Sequence, residues 1–186
     1  FKWGAFATVG YKSADERLSA SLGFRLDACD YSWLTDNPFD QFSPRLSFSY
    51  NIAGNFYVNG SLGRYYQLPA YTTLGFQENE VLVNRSRLRY IRSDQAALGV
   101  EYYLNRWARL TVEGFYKSYT HSPLSLSDSI PLACKGTDYG VSGNEAAAST
   151  ARGRAYGVEV MLRWLGLGRF TALASYTWYR SQFQNP

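Results

Sequence analysis

The sequence is short of the residues that carry most enzymatic and metal chemistry. Its 186 residues include one histidine, His121, one methionine and two cysteines, Cys29 and Cys134. One histidine and two widely separated cysteines give no metal cluster at a recognisable spacing. A Cys29–Cys134 disulfide is permitted by the count but not established by it, and two independent loop cysteines is the reading carried forward. His121 stands in Tyr119-Thr120-His121-Ser122-Pro123. A Ser–His pair can activate a hydroxyl, but adjacency in sequence is not geometry, and His121 reads as a residue opening a loop. No catalytic residue, metal ligand or cofactor is assigned.

Long apolar runs are missing too. None reaches the roughly 18 residues of a transmembrane helix. That excludes helical spans only, because a barrel strand hides its hydrophobicity in alternation. Charge of one sign is not concentrated either: the formal net charge is +4, with basic residues scattered among acidic ones, which is weak ground for any polyanionic partner. The densest basic run is Arg85, Arg87, Arg89 and Arg92, with Tyr90 interleaved. Such a pattern can hold single-stranded nucleic acid, but where a long connection meets a strand it suits a pore mouth or lipid head groups better. No nucleic-acid partner is assigned. Gly136, Gly140 and Gly143 form no phosphate loop, lacking the Walker lysine and a following helix. Phe1-Lys2-Trp3 reads as strand rather than as a signal peptide.

What the sequence has in abundance is alternation. In Ala96–Lys117, Ala96, Leu98, Val100 and Tyr102 share one face of the first arm. After a break at Asn105-Arg106, Ala108, Leu110, Val112 and Tyr116 alternate with Arg109, Thr111, Glu113, Phe115 and Lys117. Strand side chains point alternately to opposite faces, so this predicts a hairpin with one apolar and one charged face. The same period recurs in Lys2–Lys12, Arg17–Asp27, Pro44–Ile52, Phe56–Tyr66, Arg154–Trp164 and, less clearly because of Leu173, Phe170–Arg180.

The connections alternate strictly between short and long. The long ones run over about Ala28–Ser43, Gln67–Leu88 and Thr120–Ala151. A soluble antiparallel sandwich also alternates, but three features favour a membrane barrel. The strands exceed the usual five or six residues. Long and short connections never exchange sides. The apolar faces carry an aromatic near a strand end (Tyr11, Tyr50, Phe56, Tyr102, Trp164), as interface girdles do. The predicted fold is all-β, one domain over residues 1–186. It is an antiparallel up-and-down meander of about eight long strands, either part of a transmembrane β-barrel or a small closed one. Arg25, Arg45, Glu101, Arg109, Glu113, Lys117, Glu159 and Arg163 fall on the polar face and are the candidate lumen-facing residues, since charge facing lipid near the midplane costs about 2–4 kcal/mol.

Three segments carry a resemblance. FSPRLSFSYNIAGNFYVNGSLGRYYQLPAY (Phe42–Tyr71) resembles a strand–turn–strand of TonB-dependent outer-membrane receptors. SDQAALGVEYYLNRWARLTVEGFYKSY (Ser93–Tyr119) is similar to a recurrent hairpin of that family. KGTDYGVSGNEAAASTARGRAYGVEVML (Lys135–Leu162) looks like its Bacteroidetes-type form. The resemblance implies an outer-membrane location and uptake of a scarce nutrient such as a metal chelate, vitamin or oligosaccharide. It also implies contact with membrane lipid, a plug domain and the TonB complex, and an extracellular small-molecule ligand whose identity the sequence does not give. No plug, TonB box or terminal closing strand is recognised, and Gln184-Asn185-Pro186 reads as running into a loop. The expectation is a non-transporting piece, roughly a third of a barrel of about 22 strands. The other readings are a small autonomous barrel acting as enzyme or adhesin, and a soluble β-sandwich binding module.

Overall fold

A computed structural model describes residues 1–135, 143–166 and 171–184. Eight long strands form one antiparallel sheet, with a two-stranded hairpin beside it. In chain order they are β1 (Lys2–Lys12), β2 (Leu18–Cys29), β3 (Ser43–Ala53), β4 (Phe56–Gln67), β5 (Gln77–Glu78) and β6 (Val81–Leu82), then β7 (Ile91–Asn105), β8 (Ala108–Ser125), β9 (Ala147–Trp164) and β10 (Ala172–Gln184). β5 and β6 form the small hairpin, and the large sheet runs β1-β2-β3-β4-β7-β8-β9-β10. Every neighbour in it is antiparallel. Such a meander needs no crossover, so each strand is closed by its own hairpin before the next begins.

The short turns are built from their own side chains. The backbone N–H of Leu18 donates to Ser13 Oγ at 2.9 Å. The N–H groups of Trp107 and Ala108 both donate to Asn105 Oδ1, at 2.8 and 2.9 Å. Gly54 takes a φ of +43°, a region that costs glycine nothing, and its carbonyl accepts from Asn51 Nδ2 at 3.1 Å. These are the residues whose side chains mimic or permit a turn, and they lock the register that sets the two faces.

Two alternatives end here. The sheet is a single layer with no second large sheet packed on it among the described residues, so it is not a sandwich. β1 and β10 are not paired with each other, so the eight strands are an open sheet and not a small closed barrel. The strands also outrun the sequence-based expectation at the long-loop end. β8 continues to Ser125 and β9 begins at Ala147, where a connection over Thr120–Ala151 was expected. Ser122, Leu124 and Ser125 pair there with Ala151, Ala148 and Ala147 across two register shifts. Ser122, Pro123, Leu124 and Ser125 are all buried there, as are Ala147 and Ala151, so the alternation that marks a half-exposed strand lapses. His121 therefore lies within β8, at a bulge, with a φ of +59°; histidine is among the residues that adopt this region more readily than most. Phe170, Asn185 and Pro186, together with Gly136 and Gly140, lie outside the described residues.

The buried core lies in the loops rather than on the sheet. Cys29, Leu68, Leu74, Leu88, Tyr90 and Ala147 pack together, flanked by Tyr31, Tyr66 and Leu132. Both cysteines are free, Cys29 buried at the end of β2 and Cys134 exposed. Asn84, fully buried, joins the segments: its Nδ2 donates to the carbonyls of Thr73 at 2.6 Å and Glu145 at 2.9 Å, and its Oδ1 accepts from Ala147 N–H at 2.8 Å. Tyr31 Oη donates to the Leu74 carbonyl at 2.5 Å, and Arg85 Nε to the Tyr31 carbonyl at 2.9 Å. Residues 30–42, 68–90 and 143–146 thus form one cap. Removing a buried partner strands the groups it satisfied at about 1–3 kcal/mol each. Asn84→Ala is expected to raise amide exchange at Ala147 and across Tyr71–Leu74 while the sheet stays protected. Unchanged exchange at Ala147 would show that Asn84 does not hold the cap.

Candidate functional site

The register places all eight candidate residues on one face. Reading across β8, Arg109 stands opposite Tyr103 and Arg163, Thr111 opposite Glu101 and Met161, Glu113 opposite Gly99 and Glu159, and Lys117 opposite Gln95 and Ala155. On the other side of the sheet Glu101 meets Tyr57, Arg45 meets Gly63 and Gly23, and Arg25 meets Ser43 and Phe6. Leu173, ambiguous in the sequence, pairs with Arg163 and so joins this face. The opposite face carries Leu22, Leu46, Leu62, Leu98 and Val158 at register positions between them. Leu98 is 61% exposed and Leu62 58%, an uncovered apolar surface of the kind that needs a non-aqueous partner.

The candidates separate into two groups. Arg25 and Arg45 sit at the long-loop end of β2 and β3. Arg25 makes a bidentate pair with Asp27, both contacts 2.7 Å, and the Arg45 guanidinium lies 4.4 Å from the centre of the Tyr65 ring. With Lys2, Tyr71 and Tyr90 they line a cavity of about 360 Å³ beneath the cap. The second group is on β7–β9. Arg109 bonds Glu101 at 3.3 Å, and Lys117 Nζ lies 5.2 Å from the centre of the Phe115 ring. Glu113, Lys117 and Glu159 line a cavity of about 220 Å³. Here two rungs oppose like charges: Glu113 with Glu159, and Arg109 with Arg163. Like charges directly across a ladder are destabilising. Glu113, Glu159 and Arg163 form no ion pair among the described residues.

Three features of the site escaped sequence reasoning. Asp27, 4% exposed, fixes Arg25; it was visible only as the end of a strand. Tyr90, read as an interleaved aromatic, is 2% exposed, and its hydroxyl has no hydrogen-bond partner among the described residues. Burial pushes its phenol up to about 12, with Cys29, Asp27 and Tyr71 acting in the same direction. The third is a clasp in the last long loop. Lys135 Nζ bonds Asp128 Oδ2 at 2.8 Å and Glu145 Oε2 at 2.7 Å, and Ser125 Oγ donates to Glu145. No pattern announces it, because its members come from three separated stretches. Among the described residues no three His, Cys, Asp or Glu side chains gather as metal ligands.

A buried, unpartnered hydroxyl costs about 1–3 kcal/mol, so Tyr90→Phe is expected to leave thermal stability unchanged or raised. A clear fall in melting temperature would mean the hydroxyl is satisfied. In the clasp, burial raises the Glu145 carboxyl but the bonds from Lys135 and Ser125 more than offset it, holding it below its ordinary 4.5. A lowered carboxyl gives stability that is complete above the unfolded value and lost as pH falls through the folded one. Protease nicking of residues 126–135 is therefore expected to stay low above about pH 4.5 and to rise below it. Lys135→Ala should raise nicking at neutral pH and flatten that dependence. A pH-independent wild type would exclude the clasp.

A family model described as TonB dependent receptor-like, beta-barrel, matches residues 1–186. No curated protein matches. Among solved structures, the chain is similar to the alcaligin outer membrane receptor FauA from Bordetella pertussis, with 17% identity and a TM-score of 0.60 over 98% of this chain and 30% of that one. It is similar to the FrpB iron transporter from Neisseria meningitidis, with 11% identity and a TM-score of 0.63 over 98% and 26%. The copper transporter OprC shares 18% identity at a TM-score of 0.64 over 96% and 28%. The chain thus spans less than a third of each of these three proteins.

Proposed function

The chain belongs to the TonB-dependent receptor β-barrel family, and we propose that it forms about a third of the wall of an outer-membrane receptor that imports a scarce nutrient, such as a metal chelate. One observation carries this reading: the face with the eight charged candidates is the face on which Glu113–Glu159 and Arg109–Arg163 oppose like charges. An isolated sheet gains nothing from such rungs. A lumen filled by a second body can supply the missing countercharges, and in this family that body is the plug domain. Arg25, Arg45, Glu101, Arg109, Glu113, Lys117, Glu159 and Arg163 are accordingly assigned to plug contact and to the water-filled path that opens when the plug moves.

The rest of the sheet fits the same reading. The unpaired edges of β1 and β10 present rows of backbone donors and acceptors, and each unsatisfied group in hydrocarbon costs several kcal/mol. A wall that continues on both sides removes that cost. The short turns then face the periplasm and the long loops the exterior, so the cap under Asn84 stands where ligand arrives. The cavity of Lys2, Arg25, Arg45, Tyr71 and Tyr90 lies on the lumen side of that cap and suits an anionic or phenol-rich ligand. The neighbours whose names state a cargo, an alcaligin receptor and iron and copper transporters, favour a metal chelate over a vitamin or sugar. Energy would come from the TonB complex through parts of the receptor beyond this wall, and His121, in a strand bulge, has no catalytic role.

An antibody raised against residues 68–90 tests the assignment on the source organism's outer-membrane fraction. A band several times the 21.1 kDa of this chain is expected. A band at the chain's own mass, or a signal confined to soluble fractions, would overturn the receptor reading.

A further inference from the structure

The lipid-side face is not uniform. At the level of Gly114 the register runs Phe48, Gly60, Leu98, Gly114, Val158, Trp178 across six strands. One rung nearer the long loops it runs Leu46, Leu62, Ala96, Tyr116, Tyr156, Arg180, and one rung further Arg64, Asp94, Ser118, Arg154, Gln182. The two lower rows hold an apolar trough of about 550 Å³. It shares Leu62, Ala96 and Tyr116 with a second hollow of about 570 Å³ that reaches Arg64, Asp94 and Ser118. Gly114 leaves the floor open: a Cβ there would meet nothing nearer than 3.9 Å.

The polar row closes the upper end. The stretch from Ala108 to Ser118 rises about 34 Å along the strand, which a tilt of about 40° reduces to about 26 Å, close to the height of a barrel's apolar band. Below this level the lipid-side face of the strands carries one charged residue among the described residues, Arg180 on the edge strand β10. Arg64 and Arg92 both bond Asp94, each at 2.6 Å, so one carboxylate serves two guanidiniums. Arg154 is held by the amide oxygen of Gln182, at 2.9 and 3.1 Å, and has no carboxylate partner among the described residues. Arg180, at the edge of the row below, adds a further cation. Arg64 and Arg154 stand three strand spacings apart, about 14 Å, too far to share one phosphate.

We propose that this face, resting on its assignment to the lipid side, is a binding site for an acyl lipid bearing two phosphates, its phosphates on Arg64 and Arg154 and an acyl chain in the trough over Ala96 and Gly114. Guanidinium binds phosphate through paired, directional hydrogen bonds. The cationic row lies at head-group depth on the long-loop side. An ordinary phospholipid with one phosphate satisfies only one end of it.

The test uses the complete receptor extracted from outer membranes in mild detergent, with native mass spectrometry against three probes. These are a bis-phosphorylated lipid A, the same lipid with its phosphates removed, and inorganic phosphate. The expected result is retention of the bis-phosphorylated lipid alone. Arg64→Gln with Arg154→Gln should weaken it by about tenfold or more. Gly114→Leu, which adds a side chain to the floor where a Cβ meets nothing nearer than 3.9 Å, should weaken it while leaving both arginines in place. Equal retention of phosphorylated and dephosphorylated lipid, or retention unchanged in both variants while each still runs as a folded, heat-modifiable barrel, would overturn the site but leave the receptor reading intact. Competition by inorganic phosphate alone would reduce it to a simple anion site and overturn the lipid. Absence of the protein from outer membranes would sink both.

Discussion

A strand that crosses a bilayer has no water with which to satisfy its backbone, so each of its peptide groups must bond a neighbouring strand. That requirement fixes everything else in this sheet. Once the ladders are complete, side chains have only two directions to point, and charge is tolerable in only one of them. The pairing of Glu113 with Glu159, and of Arg109 with Arg163, shows how strong the constraint is. Repulsion across a rung is accepted because shifting the register by one residue would turn every charge toward lipid.

Much of this was legible in the sequence because the constraint is written at a period of two. Leu18, Ala20, Leu22, Phe24 and Leu26 against Ser19, Ser21, Gly23 and Arg25 admit one register, and the structure adopts it. The eight charged candidates could be assigned to one face for the same reason. Legibility ends where the bilayer does. From Thr120 to Ser125 and from Ala147 to Ala151 the strands continue with Ser122, Leu124, Ser125, Ala147 and Ala151 buried, where small residues fit close packing and no alternation is enforced. The aromatics show the converse. Tyr11, Tyr50, Phe56, Tyr102 and Trp164, noticed singly, all lie at the short-turn end of one face, as an interface requires of amphipathic rings.

The cap was illegible for a different reason. Asn84 lies in the connection Gln67–Leu88 that reads as loop, and nothing local marks it as fully buried. Its three bonds reach Thr73, Glu145 and Ala147, so its role depends on segments distant along the chain. The Lys135 clasp is the same case. Loops of this length pay for their order through a small apolar core with a satisfied polar hub, and such hubs leave no periodic trace.

The rim arginines join these two regimes. Arg64, Asp94 and Arg154 keep the strand period, so they project from the lipid-side face, yet each carries charge on a face that is otherwise apolar below them but for Arg180 at its edge. Position resolves the conflict: they stand where the apolar band has run its height. Asp94 cannot neutralise both Arg64 and Arg92, and Arg154 bonds a neutral amide, so these rim residues keep a positive excess. A surface that needed only to end the apolar band could use serine, as Ser118 does. Retaining guanidiniums above a trough left open at Gly114 adds an anion-binding edge to an apolar hollow. That combination selects for a lipid by both its ends, and it separates a wall that merely sits in a membrane from one that holds a particular component of it.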